Sequence, residues 1–137
     1  IEAIEEYFRV IGNIERIGDH AVNISGYVHV MGKNNVTFSE EAQKELRKMQ
    51  DICEVSMGLL TNMEGDATEW LSRIAALEQQ MDDMTETYRE NHIQRMKNGL
   101  CSEHGCILFS ELLTDFERMG DHILNIAQAF AKVKMAS

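Results

Sequence analysis

Glu15-Arg16-Ile17-Gly18-Asp19-His20-Ala21-Val22-Asn23-Ile24 returns 102 residues later as Glu117-Arg118-Met119-Gly120-Asp121-His122-Ile123-Leu124-Asn125-Ile126, with seven of ten positions identical. Both copies break helix rules in the same way. Glu15, Asp19 and Asn23 fall one helical turn apart, as do Glu117, Asp121 and Asn125. Like charges at i and i+4 cost a few tenths of a kcal/mol. A mid-helix glycine, here Gly18 and Gly120, costs about 1 kcal/mol relative to alanine. Two faults repeated in register point to a shared use for them. Two carboxylates and an amide oxygen on one buried helix face suit cation binding.

Working outward, apolar residues recur at threes and fours along four segments, and this predicts an all-α antiparallel bundle of four helices. The first runs from about residue 1 to 31, carrying Ile4, Phe8, Ile11, Ile14, Ile17, Val22, Ile24 and Val28. Gly32 is placed to take the left-handed position at its end. The second follows Thr37-Phe38-Ser39-Glu40, where Thr37 with Glu40 and Ser39 are rival caps. Its stripe is Ala42, Leu46, Met49, Cys53, Met57 and Leu60. The third starts after Asp66 and buries Trp70, Leu71, Ile74, Leu77, Met81, Met84, Tyr88 and Ile93, with Gly99 closing it. The fourth follows Ser102. From Ile107 to Phe130 it is the most apolar, so it is expected at the centre of the packing. Short joints imply that consecutive helices run antiparallel.

The chain has 137 residues, no proline, nine methionines and a net charge of −10. That length supports one domain with a real core. The acidic balance excludes a nucleic-acid track, which needs clustered Lys and Arg. It also disfavours direct binding to anionic lipid. No signal peptide is visible, and no apolar run reaches the roughly 20 residues a spanning helix needs. Because the sequence opens at Ile1 in mid-helix, it is expected to derive from a longer chain. Cys53, Cys101 and Cys106 are an odd count that fits a reducing compartment. Cys101, His104 and Cys106 lie close together without C-x-x-C spacing, and they read as ordinary thiols near a helix start.

The 102-residue offset suits a large duplicated unit of three helices, each closed by the motif helix. Residues 1–32 would then be the last helix of one unit, and residues 37–137 a complete second unit.

The doubled E-R-[IM]-G-D-H-x-x-N-I resembles the signature of PhoU domains. The stretch Gly99-Leu100-Cys101-Ser102-Glu103-His104-Gly105, with Phe109-Ser110-Glu111-Leu112-Leu113-Thr114-Asp115-Phe116, looks closest to the cytosolic PhoU-like domain at the C-terminus of bacterial Na+/phosphate cotransporters. The resemblance implies the last four of six helices in a pair of three-helix bundles. It implies multinuclear metal sites with Glu15 and Asp19 at one and Glu117 and Asp121 at the other. The acidic pair of the middle helix matches Glu78 and Asp82, and the middle helix that would serve Glu15 and Asp19 lies outside the sequence.

Across a third and fourth helix packed antiparallel, Glu78, Asp82, Glu117 and Asp121 converge over an interaxial gap of about 8–10 Å. Converging anions protonate, pair with a base or bind a cation. Oxygen donors favour hard or borderline ions, so iron, Mn, Mg, Ca or Zn are candidates. The competing reading is an ion-pair network with Arg16, Arg73 or Arg118. His20 and His122 point about 100° away from their aspartates, which suits a supporting or partner-facing role. Asn23 and Asn125 either offer a carbonyl to the cation or satisfy a neighbouring helix.

No nucleophile motif or P-loop is present. A di-iron oxidase needs Glu-x-x-His, where this motif has glycine. The expectation is therefore a non-enzymatic regulatory module on the cytoplasmic face of a membrane. Its partners would be the transmembrane transporter part of its parent chain and a second copy, in a homodimer. The alternative is a metal-free helical scaffold that meets a partner protein through its acidic faces.

Overall fold

The computed structural model describes residues 1–136 as four helices: α1 (Glu2–Lys33), α2 (Glu40–Leu60), α3 (Ala67–Lys97) and α4 (Glu103–Ala136). No strand occurs among the described residues. Three of the four starts are capped by a side chain; α1, which follows Ile1, is not. Ser39 Oγ accepts from the Ala42 amide at 3.2 Å, so Ser39 and not Thr37 caps α2. Asp66 Oδ1 accepts from the Thr68 amide at 3.0 Å and opens α3. Ser102 Oγ accepts from the Gly105 amide at 3.0 Å in the first turn of α4. These oxygens satisfy amides that have no partner within the helix.

The ends follow the same logic, with one correction. α1 runs through Gly32, and Asn35 takes the left-handed conformation (φ 53°) instead. Asparagine tolerates that region better than other residues with a Cβ. Gly99, at φ 67°, lets the Leu100 amide turn back to the Arg95 carbonyl at 2.9 Å and close α3.

α4 packs against all three other helices, whereas among the described residues the backbone of α1 comes close only to that of α4. Cross-helix contacts set the directions. Asn13 meets His122, and Glu6 meets Lys132, so α1 and α4 are antiparallel. Arg89 reaches Ser110 and Thr114, and His92 reaches Cys106, so α3 and α4 are antiparallel too. Ile74, Trp70, Ile123 and Ile126 lie in one apolar cluster, and Met49, Met81, Phe109 and Leu113 in a second. α2 is tied to α3 by a buried pair, Arg95 donating to Glu45 at 2.6 Å, with Asn91 donating to the same carboxylate.

Some apolar expectations do not hold. Met57, Ile93 and Ile107 are exposed, and Ser56, His92 and Cys106, their neighbours in sequence, are buried instead. α1 buries only Glu6, Val10, Asn13 and Ile17, at three- and four-residue steps. Most of its expected stripe faces outward: Phe8 is 70% exposed, Ile11 59% and Val22 71%. Adding 102 to Tyr7, Ile11 and Ile14 gives Phe109, Leu113 and Phe116 on α4, all buried. α4 covers that face with α2 and α3, and α1 has no helix in those places.

Candidate metal centre

α3 brings Glu78 and Asp82, one turn apart, opposite Asp121 of α4. One carboxylate oxygen from each lies within 4.8 Å of the other two. Glu117, one turn before Asp121, is half-buried close enough to feel the charges of both Asp82 and Asp121. Gly120 allows this approach. A Cβ there would lie 2.6 Å from the Met81 sulfur, so glycine makes room where α3 and α4 are closest to the acids.

The electrostatics record the crowding. Glu78 is pushed up to about 8 from 4.5, first by loss of solvent, then by hydrogen bonding to Asp82 and Asp121 and by their charges. Glu117 is also raised, by loss of solvent and then by Asp82 and Asp121, with Arg89 and Arg118 opposing. Among the described residues, no Lys or Arg is in ion-pair contact with any of these four acids. Arg89 of α3, one of the two bases that act on Glu117, donates to the Ser110 and Thr114 hydroxyls at 3.1 and 2.6 Å. Such a cluster holds a proton between its carboxylates or takes a cation. All-oxygen donors at these separations fit a hard or borderline ion.

Glu15 and Asp19 fall outside this cluster and are exposed on α1. Their counterparts on α4 face α3, and no helix stands there for α1. Gly18, unlike Gly120, has nothing within 4 Å of where its Cβ would be.

The motif histidines lie at the seam between α1 and α4. Their rings stack with centroids 5.4 Å apart. His20 Nδ1 donates to Asp115 Oδ1 at 2.7 Å, and His122 Nδ1 donates to Asn13 Oδ1 at 3.0 Å. Asn13 and Asp115 are 102 residues apart, so the same contact is made twice about a pseudo-twofold axis through the stacked rings. Loss of solvent, then His20 and Arg16, lowers the His122 pKa and keeps its ring neutral. Asn125 also donates to Asn13 Oδ1, at 3.2 Å, and so joins the seam. Asn23 is exposed. The motif thus divides its labour: on α4 the acids face α3, and His122 and Asn125 hold α1.

Asn13 and Asp115 escape a reading confined to the ten-residue repeat. Extending the 102-residue alignment two positions upstream would have found both. The reading of Cys101 and Cys106 as separate thiols is overturned, since they form a disulfide with Cα atoms 6.0 Å apart. Cys53 is a buried free thiol, pushed up to about 12 mainly by loss of solvent.

No helix is long and apolar enough to cross a membrane among the described residues. No significant match is found among curated proteins or among solved structures. The family model of the PhoU domain matches residues 46–130, from within α2 through most of α4, and includes Glu78, Asp82, Glu117 and Asp121. The chain therefore belongs to the PhoU domain family, a membership that suggests a regulatory role in phosphate homeostasis.

Proposed function

We propose that this chain is a regulatory domain of phosphate transport whose α3–α4 acids bind a divalent or trivalent cation. The observation that carries the reading is the convergence of Glu78, Asp82 and Asp121 within 4.8 Å, with no Lys or Arg ion-paired to them among the described residues. Glu117 completes the donor set from the same face of α4. Gly120 and Met81 fix the spacing of the two helices, and the seam at His20 and His122 fixes α4 against α1. A bound cation would supply the positive charge that a phosphate ligand requires, since the site has no basic pocket of its own. Exposed Glu15 and Asp19 form half of a second such site, in the position Glu117 and Asp121 occupy relative to α3.

The parent protein in this proposal is a Na+/phosphate cotransporter, with the domain on the cytoplasmic face of the membrane and α1–α4 as the last four of six helices. The match between the exposed face of α1 and the covered face of α4 supports that arrangement. In the chain as given, the same face supports pairing of two copies.

The second reading is a metal-free scaffold, favoured by the exposed apolar and acidic surface of α1. Glu117→Gln with Asp121→Asn separates the two. If the acids hold a cation, the double variant loses bound metal by elemental analysis and loses metal-dependent thermal stabilisation. If the protein is a scaffold, wild type and variant carry equally little metal, and the first reading fails.

A further inference from the structure

The loop between α3 and α4 assembles a second donor set of different chemistry. A ring nitrogen of His92 and the sulfurs of Cys101 and Cys106 all lie within 4.8 Å of one another. His92 is buried against Phe109, with ring centroids 4.6 Å apart, so its position is set by packing. Its Nε2 donates to the Cys106 carbonyl at 2.8 Å. That bond leaves the lone pair of the neutral ring on Nδ1. Metal-bound histidines are commonly held this way, with the second ring nitrogen donating to a backbone carbonyl. Loss of solvent lowers the His92 pKa, which favours the neutral ligand form. The place is reachable: a groove of about 310 Å³ opens beside His92 and Cys106, between Arg89, Met96 and Ile107. Cys101 is half-buried.

The geometry points to a redox-gated site for a thiophilic cation, Zn2+, held by Cys101, Cys106 and His92 in the dithiol form of the loop. In the structure the two sulfurs are bonded to each other, and a disulfide is no thiolate ligand. A dithiol reductant delivers two electrons and two protons, becomes a disulfide itself, and opens the S–S bond to two thiols. Zn2+ then displaces both thiol protons and takes two thiolates and one imidazole, with water from the groove as a fourth ligand. A disulfide oxidant then takes two electrons from the thiolates and two protons from solvent, leaves as two thiols, re-forms the Cys101–Cys106 bond and releases the ion. The loop joins the two helices that carry the acidic cluster. The donors are soft, and this separates the site from the all-oxygen cluster.

The test uses the full chain with Glu78→Gln, Asp82→Asn and Asp121→Asn, so that the acids do not compete. Metal-free protein, reduced with a phosphine under argon, is titrated with Zn2+ against a chromophoric chelator and, in parallel, with Co2+. The expected result is one equivalent of Zn2+ and a thiolate-to-cobalt charge-transfer band. The disulfide form and the partly exposed Cys101→Ser variant should each bind more than about 100-fold more weakly, beyond the usual effect of losing an outer hydrogen-bond partner. His92→Gln should weaken binding while keeping the thiolate band. The inference is overturned if reduced and oxidised protein bind alike, if Cys101→Ser binds as tightly as its parent, or if no thiolate band appears.

Discussion

Glu78→Gln should raise the stability of the metal-free protein near pH 8 and flatten its pH dependence. The Glu78 carboxyl titrates near 4.5 when unfolded and near 8 in the fold. Between those values the folded state holds a proton that the unfolded state has released. Stability therefore falls as pH rises through this window, because the unfolded chain binds fewer protons there. The contribution is fully present below about pH 4.5 and lost above about pH 8. In a dry site a shift of this size would correspond to several kcal/mol. Here the cluster is partly exposed, and solvent screening reduces the effect to about 1–2 kcal/mol. Glutamine keeps the shape and never ionises, so it removes that loss. For a domain of this size the gain is roughly 3–8 °C in melting temperature at pH 8. Glu117, raised in the same direction, leaves the variant a residual slope of the same sign. The assay is thermal and urea unfolding of metal-free protein, followed by circular dichroism from pH 5 to 9. A variant with the slope of the wild type, or one less stable at pH 8, would refute the claim that Glu78 is destabilised by its neighbours.

The two motif glycines should respond oppositely to alanine. Gly120→Ala drives a Cβ to within 2.6 Å of the Met81 sulfur and should cost about 1–3 kcal/mol in urea unfolding. Gly18→Ala enters open space on an exposed helix and should gain up to about 1 kcal/mol; equal effects would contradict the packing described. Ile11→Glu, on the apolar face of α1, should shift sedimentation from a concentration-dependent dimer to monomer while leaving helicity intact. A wild type that is monomeric at all concentrations would remove that face as a pairing surface.

Much of the fold was legible in the sequence because its signals are local. Periodicity, Ser39, Asp66 and Gly99 determine where the helices start and stop, and the short joints make neighbours antiparallel. The convergence of Glu78, Asp82 and Asp121 was legible once the family resemblance singled out the acidic pair of α3, because one-turn spacing on two antiparallel helices brings carboxylates together. What escaped was long-range. Nothing local indicates that His20 and His122 would stack, since their partners Asp115 and Asn13 lie 95 and 109 residues away. The apolar face of α1 reads from periodicity as core, yet periodicity cannot say whether a partner helix stands against it. Spacing placed His104 beside Cys101 and Cys106. The fold instead brings His92 from the far side of the α3 end, because Phe109 packs against its ring.

The central claim is that the acids between α3 and α4 gather around a cation. Its most direct test is calorimetric titration of metal-free protein, with the Cys101–Cys106 disulfide intact, by Mn2+ at about pH 8, where Glu78 is about half ionised. Saturable binding that releases protons and disappears in Asp82→Asn/Asp121→Asn is the predicted result. No heat beyond dilution in the wild type, or identical binding in the double variant, would contradict it.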